Sequence, residues 1–213
     1  MRRIPRLGSC AHDSGDCGVL KVCTVHVGSL KGRSREVVEM LSRREVYKCC
    51  LQEVWYRGAG ATSIGTKEEK YKLWYSGEEG GENGVGIFIK YELAKDVIEV
   101  ERFGERMMVK MVIGKTLYHI FSVYAPQVGR SEDEKVEFWE GLEDKVVGVP
   151  RSEELIVAGD LNSHIGSNRD GYEDVMGHFS FGGQNTEGGT VLDLCRNHKL
   201  QILNTYFKKD REK

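Results

Sequence analysis

A chain of 213 residues, 39% of them hydrophobic, has material for one sizeable core and hardly for two. Its 31 Lys and Arg against 33 Asp and Glu leave a net charge of −2, which argues against a protein that grips nucleic acid by bulk positive charge alone. A protein that meets phosphate through a bound divalent cation stays open, because the cation then supplies the positive charge.

Residues 1–18 are polar, carry Gly and Ser, and lack the apolar core of a signal peptide. Residues 1–20 are expected to form a disordered tail ahead of one domain spanning 21–213. No run approaches transmembrane length and no Asn-x-Ser/Thr acceptor occurs, so the expected address is nuclear or cytoplasmic, in a reduced intracellular compartment. The six cysteines (Cys10, Cys17, Cys23, Cys49, Cys50 and Cys195) form no CxxC pair and read as mostly buried, reduced thiols. Cys10, His12 and Cys17 are too loosely spaced to make a convincing zinc set.

The first strand is Val22-Cys23-Thr24-Val25-His26-Val27, β-rich and apolar. Ser34 then reads as an N-cap with Glu36 in the first turn, and Val37, Val38, Leu41 and Val46 draw a helical stripe. Cys49-Cys50-Leu51-Gln52-Glu53 reads as a short buried strand ending on a carboxylate, with Cys49 and Cys50 pointing to opposite faces. A section of purely β character follows: 71–75, then 85–90 behind the Asn83-Gly84 turn, then a hairpin of 107–113 and 117–124 around Gly114-Lys115. Pro126 forbids continuation of the last of these as a central strand.

Ser131-Glu132-Asp133-Glu134 is a capping box, and Val136, Trp139, Leu142 and Val146 continue as a helical stripe. Strand 155–158 comes next, then a long Gly/Asn-rich segment from 163 to 189. Val191, Leu194, Cys195 and His198 mark a further helix, 200–203 a last strand, and 208–213 solvated charge. This mixture of β-α-β and hairpin signals predicts a layered α/β (α+β) fold.

Four of these strands deliver a polar group at their exit: His26, Glu53, Tyr124, and Asp160 with Asn162. A lone carboxylate at a strand end is ordinarily just solvated. Four such ends together point to a site, because strands hold the backbone still while loops expose side chains. A hard ligand such as Glu53 suits Mg²⁺. GxxxxGK[ST], GxSxG and HExxH are all absent. His119 lies inside a strand and reads as a packed or edge residue, while His164 and His178 read as polar loop surface.

The segments Cys23-Thr24-Val25-His26-Val27-Gly28, Leu51-Gln52-Glu53-Val54-Trp55, Ser122-Val123-Tyr124-Ala125-Pro126-Gln127 and Gly159-Asp160-Leu161-Asn162 occur in the order used by the endonuclease/exonuclease/phosphatase superfamily. Together with Asp170-Gly171-Tyr172-Glu173, the glycine-rich run 177–182 and Asn204-Thr205-Tyr206-Phe207, they make the chain resemble the endonuclease domains of LINE-type retrotransposons over about 21–209. The resemblance implies a four-layer αββα sandwich of two mixed sheets and metal-dependent hydrolysis of a phosphodiester, with DNA as the partner and no membrane. It implies that Glu53 and Asp160 serve a Mg²⁺ or Mn²⁺ ion, that Asp160 orients or deprotonates the attacking water, and that Asn162 and Tyr124 contact the scissile phosphate.

Two departures qualify this. The family carries Asn where this chain has His26, whose ring is bulkier and can be charged. Relatives also bring an Ile-Asp pair and a catalytic His on later strands, so the sandwich is expected to be incomplete at the C-terminus. A sheet edge left exposed there would favour self-association or a protein partner. Two readings result: a DNA endonuclease-like enzyme whose activity is weak or lost, or a non-catalytic retroelement remnant acting in interaction or structure. A phosphatase acting on a small phosphate ester is a third.

Overall fold

The computed structural model describes residues 20–208 apart from 82, 104 and 105. The expected tail, the Cys10/His12/Cys17 set and the charged end from 209 onward lie outside those residues. The chain divides into two compact units, Met1–Tyr124 with Val149–Asp160, and Ala125–Gly148 with Leu161–Lys213.

The first unit holds two mixed sheets. One contains β1 (Val22–His26), β2 (Lys48–Gln52), β3 (Ala59–Gly65), β4 (Lys70–Ser76) and β5 (Val85–Lys90), in the order β1-β2-β5-β4-β3. The other contains β6 (Val97–Phe103), β7 (Arg106–Ile113), β8 (Thr116–Tyr124) and β9 (Glu154–Asp160), in that order. β1 and β2 run parallel because helix α1 (Ser34–Arg43) returns the chain between them, and β8 and β9 are likewise parallel. The remaining pairs are antiparallel.

Alternation along the buried strands builds two cores. Cys49 and Leu51 of β2, Tyr71 and Leu73 of β4 and Phe88 of β5 pack with Val38 and Leu41 of α1. Cys50, Trp74, Ile87 and Ile89 point the other way and meet Val109, Met111 and Ile120 of the second sheet. The two adjacent cysteines thus serve opposite faces, as the strand reading predicts. Truncating Leu51, which is fully buried, would cost about 2–5 kcal/mol.

α1 stops in a Schellman turn. Glu45 is left-handed at φ 52°, and the amides of Glu45 and Val46 bond the carbonyls of Ser42 and Leu41. Its start differs from expectation: Arg33 holds the cap position, its side chain makes no capping bond, and Ser34 is already helical.

In the second unit, α2 spans Glu132–Val147 and α3 Thr186–His198. The Ser131 capping box is complete: its hydroxyl accepts from the Glu134 amide at 3.3 Å, and the Glu134 carboxylate accepts from the Ser131 amide at 3.0 Å. The buried stripe of α2 is Phe138, Leu142 and Val146, whereas Val136, expected inside, is exposed. Lys135 bridges Glu132 and Glu187, and His198 lies 2.9 Å from Glu143, so an ion pair and a hydrogen bond join the two helices. Val175, Met176, Val191, Leu192 and Cys195 form this unit's core. The expected strand 200–203 does not form. Only Ile202 bridges Met176, and the chain turns into a 3₁₀ helix over Leu203–Thr205.

Candidate active site

β1, β2, β8 and β9 end side by side in the first unit, and their exits assemble one cluster. Glu53 follows β2 directly, at φ 58°, and Trp55 sits at φ 56°. Left-handed backbone at a non-glycine residue costs on the order of 1–3 kcal/mol and persists only where neighbours over-determine it. Here they do. The Val27 amide bonds the Gln52 carbonyl, the Leu30 amide bonds that of Val54, and the amides of Val54 and Trp55 bond the carbonyls of Gly84 and Asn83. The Asn83-Gly84 turn read from the sequence is therefore one jaw of the clamp that aims Glu53.

Asp160 is aimed by its predecessor. Gly159 pairs with Val123, and a Cβ there would fall 1.9 Å from the Val123 carbonyl oxygen. Only glycine allows β9 to lie this close to β8, with Asp160 opposite Tyr124.

The side chains meet around the imidazole of His26. Its Nε2 lies 3.1 Å from Glu53 Oε2, and its Nδ1 lies 3.7 Å from Asp160 Oδ2. The Tyr124 hydroxyl donates to Glu53 Oε1 at 2.8 Å, and its ring stands edge-on to His26 at 5.7 Å. Glu53 is thus engaged through both oxygens. Its side chain is 19% exposed, against 44% for His26 and 42% for Asp160. Water reaches the imidazole and Asp160 while Glu53 sits deeper.

His26, Glu53, Tyr124 and Asp160 are therefore brought together. Asn162 belongs to the second unit, where it adopts φ 44° and its Nδ2 donates to the Ala125 carbonyl at 2.7 Å. Gln52 is a residue that strand patterning passes over. It is buried, its Oε1 accepts from the Thr24 hydroxyl at 2.9 Å, and its Nε2 is buried with no hydrogen-bond partner among the described residues, as is Trp55 Nε1. A Gln inside a wholly buried strand is the signal that could have flagged it.

The donor set is hard and anionic, which suits a small divalent cation in kind. His26 nevertheless stands between the two carboxylates, and among the described residues no group of three His, Cys, Asp or Glu side chains is arranged to hold a metal ion. The carboxylates fit the ion's chemistry, and the ring occupies the ground between them.

Known proteins resemble this chain in sequence and in fold. Residues 26–191 fit the Endonuclease/Exonuclease/phosphatase family. Craniofacial development protein 2 of Bos taurus is 25% identical over 205 residues, covering 92% of this chain and 34% of the relative. The chain spans about a third of the length of the curated relatives it matches. A 3'-5' exonuclease (NExo) from Neisseria meningitidis superposes with a TM-score of 0.53 at 16% identity, over 82% of this chain and 70% of the other. The 3' phosphatase NExo from Neisseria bound to product DNA hairpin does so with a TM-score of 0.52 at 14% identity, over 84% and 71%. At such identities these two structures speak for the fold alone.

Proposed function

The chain belongs to the endonuclease/exonuclease/phosphatase family, and from that premise we propose that it is a metal-dependent phosphodiester hydrolase of the DNA endonuclease type, of retrotransposon origin, with activity weakened by His26. The observation that carries this reading is the convergence of Glu53 and Asp160 on one imidazole, with Tyr124 fixing Glu53.

Glu53 and Asp160 would hold Mg²⁺ or Mn²⁺, which when bound stabilises charge developing on the phosphoryl oxygens. Tyr124 acts by orienting Glu53, since its proton is given to Oε1; contact with a phosphate would require that bond to be released. Asp160, the more exposed carboxylate, accepts a proton from the attacking water. For Asn162 the proposed phosphate contact rests on the Gly159-Asp160-Leu161-Asn162 motif alone. His26 contacts both carboxylates and so restricts any ion placed between them. DNA as the substrate is supported by the DNA-bound neighbour. Among the described residues no helix is long and apolar enough to cross a membrane, and Cys23, Cys49, Cys50 and Cys195 are free thiols; the setting we propose is nuclear or cytoplasmic.

The second reading, a non-catalytic remnant that acts through interactions, is favoured by the same imidazole between the carboxylates. Nicking of supercoiled plasmid in Mg²⁺, beside an Asp160→Ala control of matched circular dichroism, separates the two. Metal-dependent nicking lost in the control supports the enzyme. Equal background in both supports the remnant.

A further inference from the structure

Cys23 and Cys49 are direct partners in the parallel pair β1–β2. Paired strands lie ~4.7–4.9 Å apart, inside the ~4.4–6.8 Å between Cα atoms that a disulfide spans. Both side chains join the core beneath α1, Cys49 fully buried and Cys23 packed against it, partly exposed on a strand that forms the sheet's edge. Both thiols are free. The Cys49 Sγ lies 3.7 Å from the Cys50 carbonyl oxygen, and Cys23 is its register partner across the strand pair.

The two thiols are unequal. The hydrogen bond from Cys49, aided by the Arg44 charge, holds Cys23 below the ordinary thiol value against the opposing effect of burial. The same bond, together with burial, pushes Cys49 well up. Cys50 faces the opposite core and is pushed up to about 12 by burial, and Cys195 of the second unit is also pushed up to about 12. The more acidic thiol of the pair is thus also the more accessible one, the two conditions that favour oxidation, and a second thiol lies directly beside it.

We propose that the Cys23–Cys49 pair is an oxidation site that a hydroperoxide converts into a cross-strand disulfide. The Cys23 thiolate attacks the peroxide; an S–O bond forms, the O–O bond breaks, and the released oxygen leaves as water or alcohol after taking a proton. Cys23, oxidised by two electrons, is then a sulfenic acid. The Cys49 sulfur attacks it; the S–S bond forms, the S–O bond breaks, and the hydroxide takes the Cys49 proton to leave as water. With hydrogen peroxide, two thiols and one peroxide yield one disulfide and two waters. The link ties β1 to β2 three residues ahead of His26 and four ahead of Glu53, so it fastens the two strands that present them.

The test treats the reduced full chain with equimolar hydrogen peroxide, alkylates the remaining thiols, and maps peptides by mass spectrometry. Before alkylation the expected product is lighter than the reduced chain by about 2 Da; after it, the map carries a linked Cys23–Cys49 peptide, which dithiothreitol separates. Cys50 and Cys195 alkylate once the chain is unfolded. In Cys49→Ala the Cys23 sulfenic acid persists and is trapped by dimedone, whereas in Cys23→Ser Cys49 stays unmodified. If Cys49→Ala does not fold, the wild-type peptide map decides. Cys23 linked instead to Cys10, Cys17 or a second chain, or Cys23 and Cys49 both still alkylatable after peroxide, would overturn the proposal.

Discussion

Among its described residues the first unit contains two imidazole–carboxylate clusters, and they differ in charge balance and access. At the strand exits His26 faces two carboxylates, Glu53 and Asp160, with both the ring and Asp160 open to solvent. At the other, His119 of β8 is 6% exposed and contacts Glu153, which also pairs with Lys110 of β7 at 3.1 Å. There one carboxylate meets a lysine and an imidazole through a single oxygen, Oε2. At the site, carboxylates outnumber basic groups and a left-handed Glu53 is held by clamping bonds. The cation site proposed above rests on an excess of anionic donors on strained, well-supported backbone, whereas the balanced cluster ties β8 to the start of β9.

The comparison can be broken by substitutions that touch one cluster and are read out on both activity and stability. The largest effect belongs to Asp160→Ala, expected to lower plasmid nicking by about 10²–10⁴-fold, the usual worth of a positioned proton-transfer group, with little change in the thermal midpoint. His26→Asn comes next. It removes the ring from between the carboxylates and should raise nicking by about 10–100-fold, the range of outer-shell changes at metal sites; a fall would show that the ring assists the chemistry. Tyr124→Phe deletes one hydrogen bond to Glu53, worth about 1 kcal/mol, and should cost nicking up to about tenfold.

Glu153→Gln should leave nicking unchanged and act on stability alone. The hydrogen bond from His119, and after it that from Lys110, holds the Glu153 carboxyl below its usual range. A depressed folded value adds stability that is present above the unfolded value and is lost as pH falls through the folded one. The variant should therefore melt below wild type at pH 7, and the gap should close on acidification below about pH 4. An unchanged gap at low pH would place the loss in packing and not in charge.

Much of this division was legible in the sequence because it follows strand exits. His26, Glu53, Tyr124 and Asp160 each end an apolar run, and parallel β1–β2 and β8–β9 pairing brings those ends together. The closed cluster was not legible. His119 and Glu153 lie 34 positions apart and meet only through the β8–β9 register. β3 escaped notice because Ala59–Gly65 is small and largely exposed, a strand by virtue of pairing with β4 and not by pattern. On α2 the spacing from Val136 selected one edge of the apolar stripe, while the buried row runs through Phe138 at steps of four. At 200–203 an apolar run too short for a ladder met a single bridge partner, and the chain turned instead. The left-handed Glu53 carries no signature of its own; it is imposed by Asn83 and Gly84 thirty residues on.

The central claim is that Glu53 and Asp160 form one divalent-cation site. Electron paramagnetic resonance of Mn²⁺ titrated into the chain, beside a Glu53→Gln/Asp160→Asn double variant that retains its fold, tests it without reference to turnover. One bound Mn²⁺ per chain in the wild type, lost in the double variant, is the result expected. Equal Mn²⁺ binding by the two, or none by the wild type, would contradict it.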